Sequence, residues 1–391
     1  PYMQVISGTA HNALGEVEVR VYHRPGQAAF ARRHLHAGIG AIEIFSRLYV
    51  PYPWPIMSII DPPNDAAGSA GGMEYPTLVT TALDVGLLGE HAHLAEYVTV
   101  HEVGHNWFQG ILASNEVEEA WLDEGVNEYA DSIVMDELYG TRANLVDWFG
   151  FSADTLQIRR VADLAALPAP IATRAPAFPD SAAYADATYA KTGLALRTLE
   201  NIVGVDAFRA AMRAYATEWA FRHPSGADLW STLERHLERD LSWFVEPVFH
   251  RRGVVDLRVR KISCRDARPP AGVFGAGEGR QLVEADGGTG DLTCEVIVTN
   301  LGDVPVPVDI DLVFADGSRK RERWQGGQWH VLTTRYHQPI IEVHLDPERR
   351  ILIDTTLLEN SLRVEADTGT TRAAGARAQF WTQSAMQLGG L

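Results

Sequence analysis

The chain has 391 residues, 46% hydrophobic and 22% charged, which is ordinary for a globular fold and long enough for two or three domains with cores of their own. Its 34 basic and 51 acidic residues give a formal charge of −17, which argues against nucleic acid or an anionic membrane as partner. With only Cys264 and Cys294 it is neither a disulfide scaffold nor a cysteine-ligated metal protein, and no apolar run approaches the roughly 18 residues needed to span a bilayer.

No signal-peptide pattern opens the chain, and it starts at Pro1 rather than methionine, so it reads as a piece of a longer protein. Compartment stays open between cytoplasmic and extracytoplasmic, as does the pairing of the two cysteines. Residues 14–22 alternate Val17, Val19 and Val21 with Glu16, Glu18 and Arg20, the pattern of a half-buried strand. The alanine-rich stretch 27–49 predicts a helix, and 56–60 a short buried strand broken at Asp61-Pro62-Pro63-Asn64-Asp65. From Gly89 the texture is helical, with helices predicted over 90–109, 116–139, 186–203, 206–221 and 228–249, Asp186 and Asp206 serving as N-caps. Leu229, Trp230, Leu233, Leu237 and Leu241 form a core stripe. After Gly253 the period becomes two, as in Val255, Leu257 and Val259 or Val308, Ile310 and Leu312, with a turn at Asp316-Gly317. About seven such strands between 254 and 356 predict a β-sandwich of immunoglobulin-like size. The glycine-rich stretch 271–290 reads as a loop, and the tail from Ala366, with Phe380 and Trp381, as a helix.

Chemistry concentrates in His101-Glu102-Val103-Gly104-His105, followed by Glu124 inside Trp121-Leu122-Asp123-Glu124-Gly125. Histidines four apart on a helix of about 3.6 residues per turn face the same side, so both imidazoles can bind one ion. Glu124, on the next predicted helix, supplies a third ligand, leaving a position for water beside Glu102 as proton acceptor. That layout suits one zinc ion and hydrolysis of an amide or ester. His11, His34, His36, His91 and His93 lack such partners and read as structural. Glu128, one turn after Glu124, is a candidate to orient a ligand histidine.

These residues resemble the aminopeptidase N and leukotriene hydrolase family of zinc peptidases, the gluzincins. The family signature places a Gly-x-Met-Glu segment before HExxH and a Tyr-x-Lys segment after the glutamate. All three occur in order here, as Gly71-Gly72-Met73-Glu74-Tyr75, His101 to Glu124, and Tyr189-Ala190-Lys191, and the resemblance covers residues 14 to about 356.

The resemblance implies an α+β protein: a thermolysin-like catalytic domain of mixed sheet and helical subdomain over 20–252, an immunoglobulin-like β-sandwich over 253–360, and a tail over 361–391. Residues 1–19 would be the remnant strand of a missing N-terminal β-domain, whose place another chain could cover. Its implied substrate is a peptide with a free N-terminus. Glu74 would bind the α-ammonium; Gly71, Gly72 and Met73 would line the extended substrate; Tyr189 would donate to the oxyanion, with Tyr184 nearby in a weaker role. The sequence departs from the family at Tyr75, Asn106 and Thr192, where asparagine, glutamine and glycine are usual, which bears on pocket shape rather than on metal or proton transfer. An endopeptidase or epoxide hydrolase would use the same metal, but Glu74 argues against an internal peptide. A non-catalytic module would have no need of His101, Glu102, His105, Glu124 and Tyr189 together.

Overall fold

The computed structural model describes residues 3–62, 66, 71–81, 91–148, 151–165, 169–267, 272–283, 290–365 and 375–383. They divide into two compact units, one running to Val254 and including Arg350–Ile353, the other comprising Val255–Arg349 and Asp354 onward.

The first unit opens on a hairpin where the sequence predicts one strand. β1 (Gln4–Asn12) pairs antiparallel with β2 (Gly15–His23), and the link closes through Asn12 Oδ1, which accepts from Leu14 N at 2.7 Å. β1 escapes a period-two reading because Ser7, Gly8 and Thr9 dilute its alternation. Residues 4–23 therefore belong to a four-stranded sheet, in which β2, β3 (Ile56–Ile60) and β4 (Leu78–Thr80) run parallel. Helix α1 (Ala28–Leu48) links β2 to β3. Its Ala31, His34, Ala37, Ala41, Ile42, Phe45 and Leu48 recur at three- and four-residue spacing and are buried between the sheet and α2 (Leu94–His105).

Helix α2 is buried around nearly its whole circumference, as a central helix must be. Beyond His105 the helix widens: Asn106–Leu112 is a π-helical segment where the sequence predicts plain helix. The predicted helix 116–139 is broken too. A short stretch, Glu116–Glu119, is capped by Asn115, whose Oδ1 accepts from Val117 N at 3.2 Å and Glu118 N at 3.3 Å; the turn Ala120–Leu122 follows, and then α3 (Glu124–Tyr139). Buried Trp121 anchors that break by stacking on Trp230 at 5.7 Å between centroids.

A small hairpin of β5 (Val146–Trp148) and β6 (Phe151–Ala153) precedes α4 (Thr155–Ala165). The predicted helix 186–203 is a π-helical segment, Asp186–Lys191, leading into α5 (Thr192–Val203). Asp186 caps nothing there; the capping aspartate is Asp180, whose Oδ1 accepts from Ala183 N at 2.8 Å. Helix α6 (Val205–Trp219) is preceded by Gly204, so Asp206 lies in its first turn rather than at its cap. The predicted helix 228–249 is two, α7 (Gly226–Leu237) and α8 (Ser242–Phe249), with Glu238 in the left-handed conformation between them; Ser225 and Asp228 form a capping box at the start of α7.

The second unit is built from antiparallel strands. β7 (Leu257–Asp266) is followed by the hairpin β8 (Gly272–Phe274) and β9 (Gln281–Val283), placed where the sequence predicts loop. Then come β10 (Leu292–Asn300), β11 (Val308–Phe314), β12 (Arg319–Trp324), β13 (Trp329–Tyr336), β14 (Ile340–Leu345) and β15 (Ser361–Arg363). One sheet has the order β13-β10-β7 and another β12-β11-β14-β15. The Asp316-Gly317 turn joins β11 to β12, Asp316 Oδ1 accepting from Ser318 N at 2.9 Å. Cys264 and Cys294, opposite each other on β7 and β10, form a disulfide. Residues 375–383 are helical. The predicted break at 63–65, the helix start at Glu90 and the tail's start at Ala366 lie outside the described residues. Among the described residues no helix is long and apolar enough to cross a membrane.

Candidate metal centre and active site

Gly104 of α2 faces the Asn127 side chain of α3: a Cβ there would sit 2.0 Å from Asn127 Oδ1 and 2.9 Å from Phe45 Cζ, so any larger residue must displace those side chains. Asn127 uses the proximity to donate from Nδ2 to the His101 carbonyl at 2.8 Å. The ligand-bearing faces are thereby tied together.

His101 Nε2 and His105 Nε2 stand 3.1 Å apart, and Glu124 Oε2 lies 3.3 Å from the first and 3.2 Å from the second. Ligands arranged tetrahedrally about 2.0–2.1 Å from a zinc ion are about 3.3 Å from one another. The other ring nitrogens are engaged: His101 Nδ1 meets Asp131 Oδ2 at 2.8 Å, and His105 Nδ1 meets Asp123 Oδ1 at 2.6 Å. A carboxylate accepts, so Nδ1 carries the hydrogen in each ring and Nε2 is left to bind. Burial disfavours the charged form of both histidines, but Asp131 and Glu124 outweigh it at His101 and hold its pKa well above the ordinary value, while Asp123 and Glu124 raise that of His105 to about 10. His101 Nε2, His105 Nε2 and Glu124 Oε2 face one another, so that one cation could be shared by three lone pairs. Glu124 Oε2 is moreover buried without a hydrogen-bond donor, which fits a ligand oxygen facing a metal.

Glu102 is 5% exposed, and burial raises its pKa to about 7 against the pull of His101 and His105. A base of that strength is suited to accepting and returning a proton near neutrality. The Gly71–Tyr75 segment runs past it. Gly72, which adopts φ +70°, has a Cβ position 3.3 Å from Glu102 Oε1, a conformation and a clearance that both favour glycine. Met73 pairs with Thr80 through N–H donation in both directions, at 3.3 and 2.9 Å, which fixes the segment along the β4 edge of the sheet, and Gly71 leads into it. Asn106 Oδ1 accepts from Thr77 N at 3.1 Å and pins the far end. That is a use for the departure from glutamine at this position. Glu74 lies among acids: it, Glu116 and Asp123 each offer an oxygen within 4.8 Å of the others.

Tyr189 sits in the π-helical segment with its ring centroid 5.9 Å from that of His101 and 6.2 Å from that of Tyr184. Burial first, and then Glu124, push its pKa far up, so its hydroxyl keeps its proton and is a donor. Burial and the acids Glu124, Asp123, Glu116 and Glu74 raise Tyr184 to about 12. His101, His105, Glu124, Glu102, Glu74, Tyr184 and Tyr189 are thus brought to one place. Glu128 does not orient a ligand as predicted: its Oε1 is 3.8 Å from His101 Nδ1, and it is bonded instead by Tyr97 and Arg159. Asp131 and Asp123 take that role, and both go unnoticed in the sequence. Asp131 follows Glu124 by two turns on one helix face and Asp123 adjoins it, which is the spacing that could have revealed them. The histidines read as structural behave so where described: His34 Nδ1 bonds Thr99 Oγ1 at 2.7 Å and His93 Nδ1 the Asn144 carbonyl at 3.0 Å.

Comparison with known proteins adds the following. The model of the peptidase family M1 domain matches residues 34–248. Aminopeptidase M1 of Arabidopsis thaliana is 27% identical over 226 residues, covering 56% of this chain and 25% of that protein. Leucyl aminopeptidase of Saccharolobus solfataricus is 23% identical over 232 residues, 57% of this chain and 29% of that protein. Legionella pneumophila aminopeptidase A, solved in complex with aspartic acid, is similar in fold with a TM-score of 0.63 at 14% identity, covering 90% of this chain and 38% of that one. The chain spans about a quarter of the length of these curated relatives.

Proposed function

The chain belongs to peptidase family M1, and from that premise we propose that it acts as a zinc-dependent aminopeptidase, removing the first residue of peptides with a free N-terminus. The observation that carries this reading is the meeting of His101 Nε2, His105 Nε2 and Glu124 Oε2 within 3.1–3.3 Å beside Glu102. Those three atoms would hold a zinc ion, which would supply Lewis-acid activation of water and of the scissile carbonyl. Glu102 accepts the proton from the attacking water and returns it to the leaving amine, for which a pKa of about 7 is suited. Tyr189 donates its hydroxyl hydrogen to the carbonyl oxygen as charge develops there, a contribution of about 3 kcal/mol for a single well-placed donor. Glu74 binds the α-ammonium and so sets the cut one residue from the end, with Gly71, Gly72 and Met73 along the substrate backbone and Tyr184 at the pocket wall. We read the first unit as a thermolysin-like catalytic domain and the second as an immunoglobulin-like sandwich.

The test is hydrolysis of aminoacyl amides with free and acetylated N-termini by zinc-loaded protein. Turnover of the free amine alone is expected. Equal turnover of both overturns the role of Glu74 and leaves an endopeptidase. Glu102→Gln is expected to retain stoichiometric zinc and lose the rate; full activity in that variant excludes Glu102 as base.

A further inference from the structure

Next to the candidate metal ligands lies a group that the hydrolytic scheme does not use. Arg159 projects from α4, and its side chain is 29% exposed. Its Nε donates to Glu128 Oε2 at 2.9 Å, and one terminal nitrogen donates to Tyr97 Oη at 2.5 Å and also to Glu128 Oε1. The Tyr97 hydroxyl donates to that same Oε1. The guanidinium carbon is 5.5 Å from the Tyr97 ring centroid and 6.0 Å from that of Tyr189. Tyr97 belongs to α2, one turn before His101, and Glu128 to α3, one turn after Glu124.

We propose that Arg159 is a positioning residue: it seats the Tyr189 ring against its guanidinium face while holding Glu128 off His101. The inference rests on Tyr189 being the oxyanion donor. Glu128 is buried and close enough to compete with Asp131 for the His101 Nδ1 hydrogen, the two carboxylate oxygens lying 3.8 and 2.8 Å from it. A forked guanidinium occupies both Glu128 oxygens at once, which a point charge cannot do, and leaves Asp131 as the acceptor. The charge of the same group lies over the Tyr189 ring, 6.0 Å from its centroid, an attraction by which helix α4 registers the donor against α2 and α3. Tyr189 rises from a π-helical segment, whose looser hydrogen bonding makes an outside support useful.

The experiment uses zinc-loaded full-length chain. Arg159→Met is combined with Glu128→Gln, so that removing the cation leaves no bare carboxylate. The pair is expected to keep its zinc and a KM within about twofold of the parent, while kcat falls about 10- to 100-fold. Arg159→Lys, which keeps a charge near the ring, is expected to lose less than the pair. In a Tyr189→Phe background the pair is expected to cause no further loss. Parent-like kcat in the pair, or an equal loss with and without the Tyr189 hydroxyl, overturns the proposal. A readout independent of turnover is the ring signal of Tyr189 in protein labelled with ring-¹³C tyrosine, assigned by its disappearance in Tyr189→Phe. That signal is expected to shift and broaden in the pair; an unchanged signal overturns the proposal even if the parent hydrolyses no aminoacyl amide, an outcome that would instead sink the aminopeptidase reading.

Discussion

Two clusters of buried carboxylates lie in the helical part of the first unit, and they are balanced in opposite ways. Around Glu200, which is fully buried, the protein supplies its own cations: Arg209 Nε donates to Oε1 at 2.6 Å, Arg197 to Oε2 at 2.8 Å, Tyr129 to Oε1 at 3.0 Å, and Arg197 reaches on to Asp136 at 3.0 Å. Around Glu124, Asp123 and Asp131, among the described residues, no lysine or arginine is bonded, and Glu124 Oε2 and Asp131 Oδ1 are buried without a donor. A buried charge left uncompensated is costly, so it persists only where something compensates it. The first cluster is complete as protein. The second leaves acceptors that neither lysine nor arginine fills, which is what the proposed zinc would satisfy, and that difference separates the candidate site from a strut more clearly than burial or acidity does.

The contrast can be broken by experiment. Glu200→Ala removes the buried acceptor of Arg209 and leaves Arg197 with Asp136 alone, and is expected to cost about 3–5 kcal/mol of unfolding free energy, measured by denaturant titration, with the same loss whether or not a chelator is present. A metal-dependent loss would erase the distinction. Stripping metal from the parent is expected to lower stability by about 2.7 kcal/mol relative to protein in free zinc at a hundred times its dissociation constant, and Glu124→Gln to abolish that increment. Asp131→Asn keeps the shape but exchanges the acceptor of the His101 Nδ1 hydrogen for an amide. Zinc affinity, read by chelator competition, is expected to fall about 10- to 100-fold.

A third solution to buried charge is to refuse it. His34 is fully buried, and burial, with Arg33 adding to it, lowers its pKa from 6.5 to about 4. Between those values the unfolded chain binds a proton that the folded chain does not. The stability tied to His34 is therefore whole above about pH 6.5 and is lost as the pH falls toward about 4, by about 1.4 kcal/mol per unit inside that window. His34→Gln is expected to flatten this part of the stability profile; an unaltered slope would assign it to other groups.

Much of the architecture is legible in the sequence because it rests on simple periods. α1 and β3 carry clean patterns, and both appear within a residue of the predicted bounds. What is not legible follows no such period. The π-helical segments Asn106–Leu112 and Asp186–Lys191 insert a residue into the helical repeat without altering composition, so each reads as continuous helix. The break after Leu237 is hidden because Leu241 continues the apolar stripe across it. At the site, His101, His105 and Glu124 are recognisable because theirs is the spacing a shared metal ion would require. Asp123 and Asp131 are not, since they answer to the orientation of imidazole rings, a demand many positions could meet. Glu128 had the better spacing for it, and Arg159, from an element far along the chain, claims it.

The return of Arg350–Ile353 to the first unit has a practical meaning for anyone dividing this protein. Leu352 N donates to Thr198 Oγ1 at 2.9 Å, the Leu352 carbonyl accepts from Arg160 at 2.9 Å, and the Arg350 carbonyl accepts from Asn201 at 3.0 Å. A fragment ended at the apparent boundary near Val254 would carry every metal ligand and yet leave α4 and α5 without these bonds. The first unit is discontinuous in sequence, closed by a clasp of four residues that is synthesised after all the rest of that unit. Excision would have to carry that clasp along, as a short loop-joined strand or as an added peptide, for the helix bearing Arg159 to be held as it is in the whole chain.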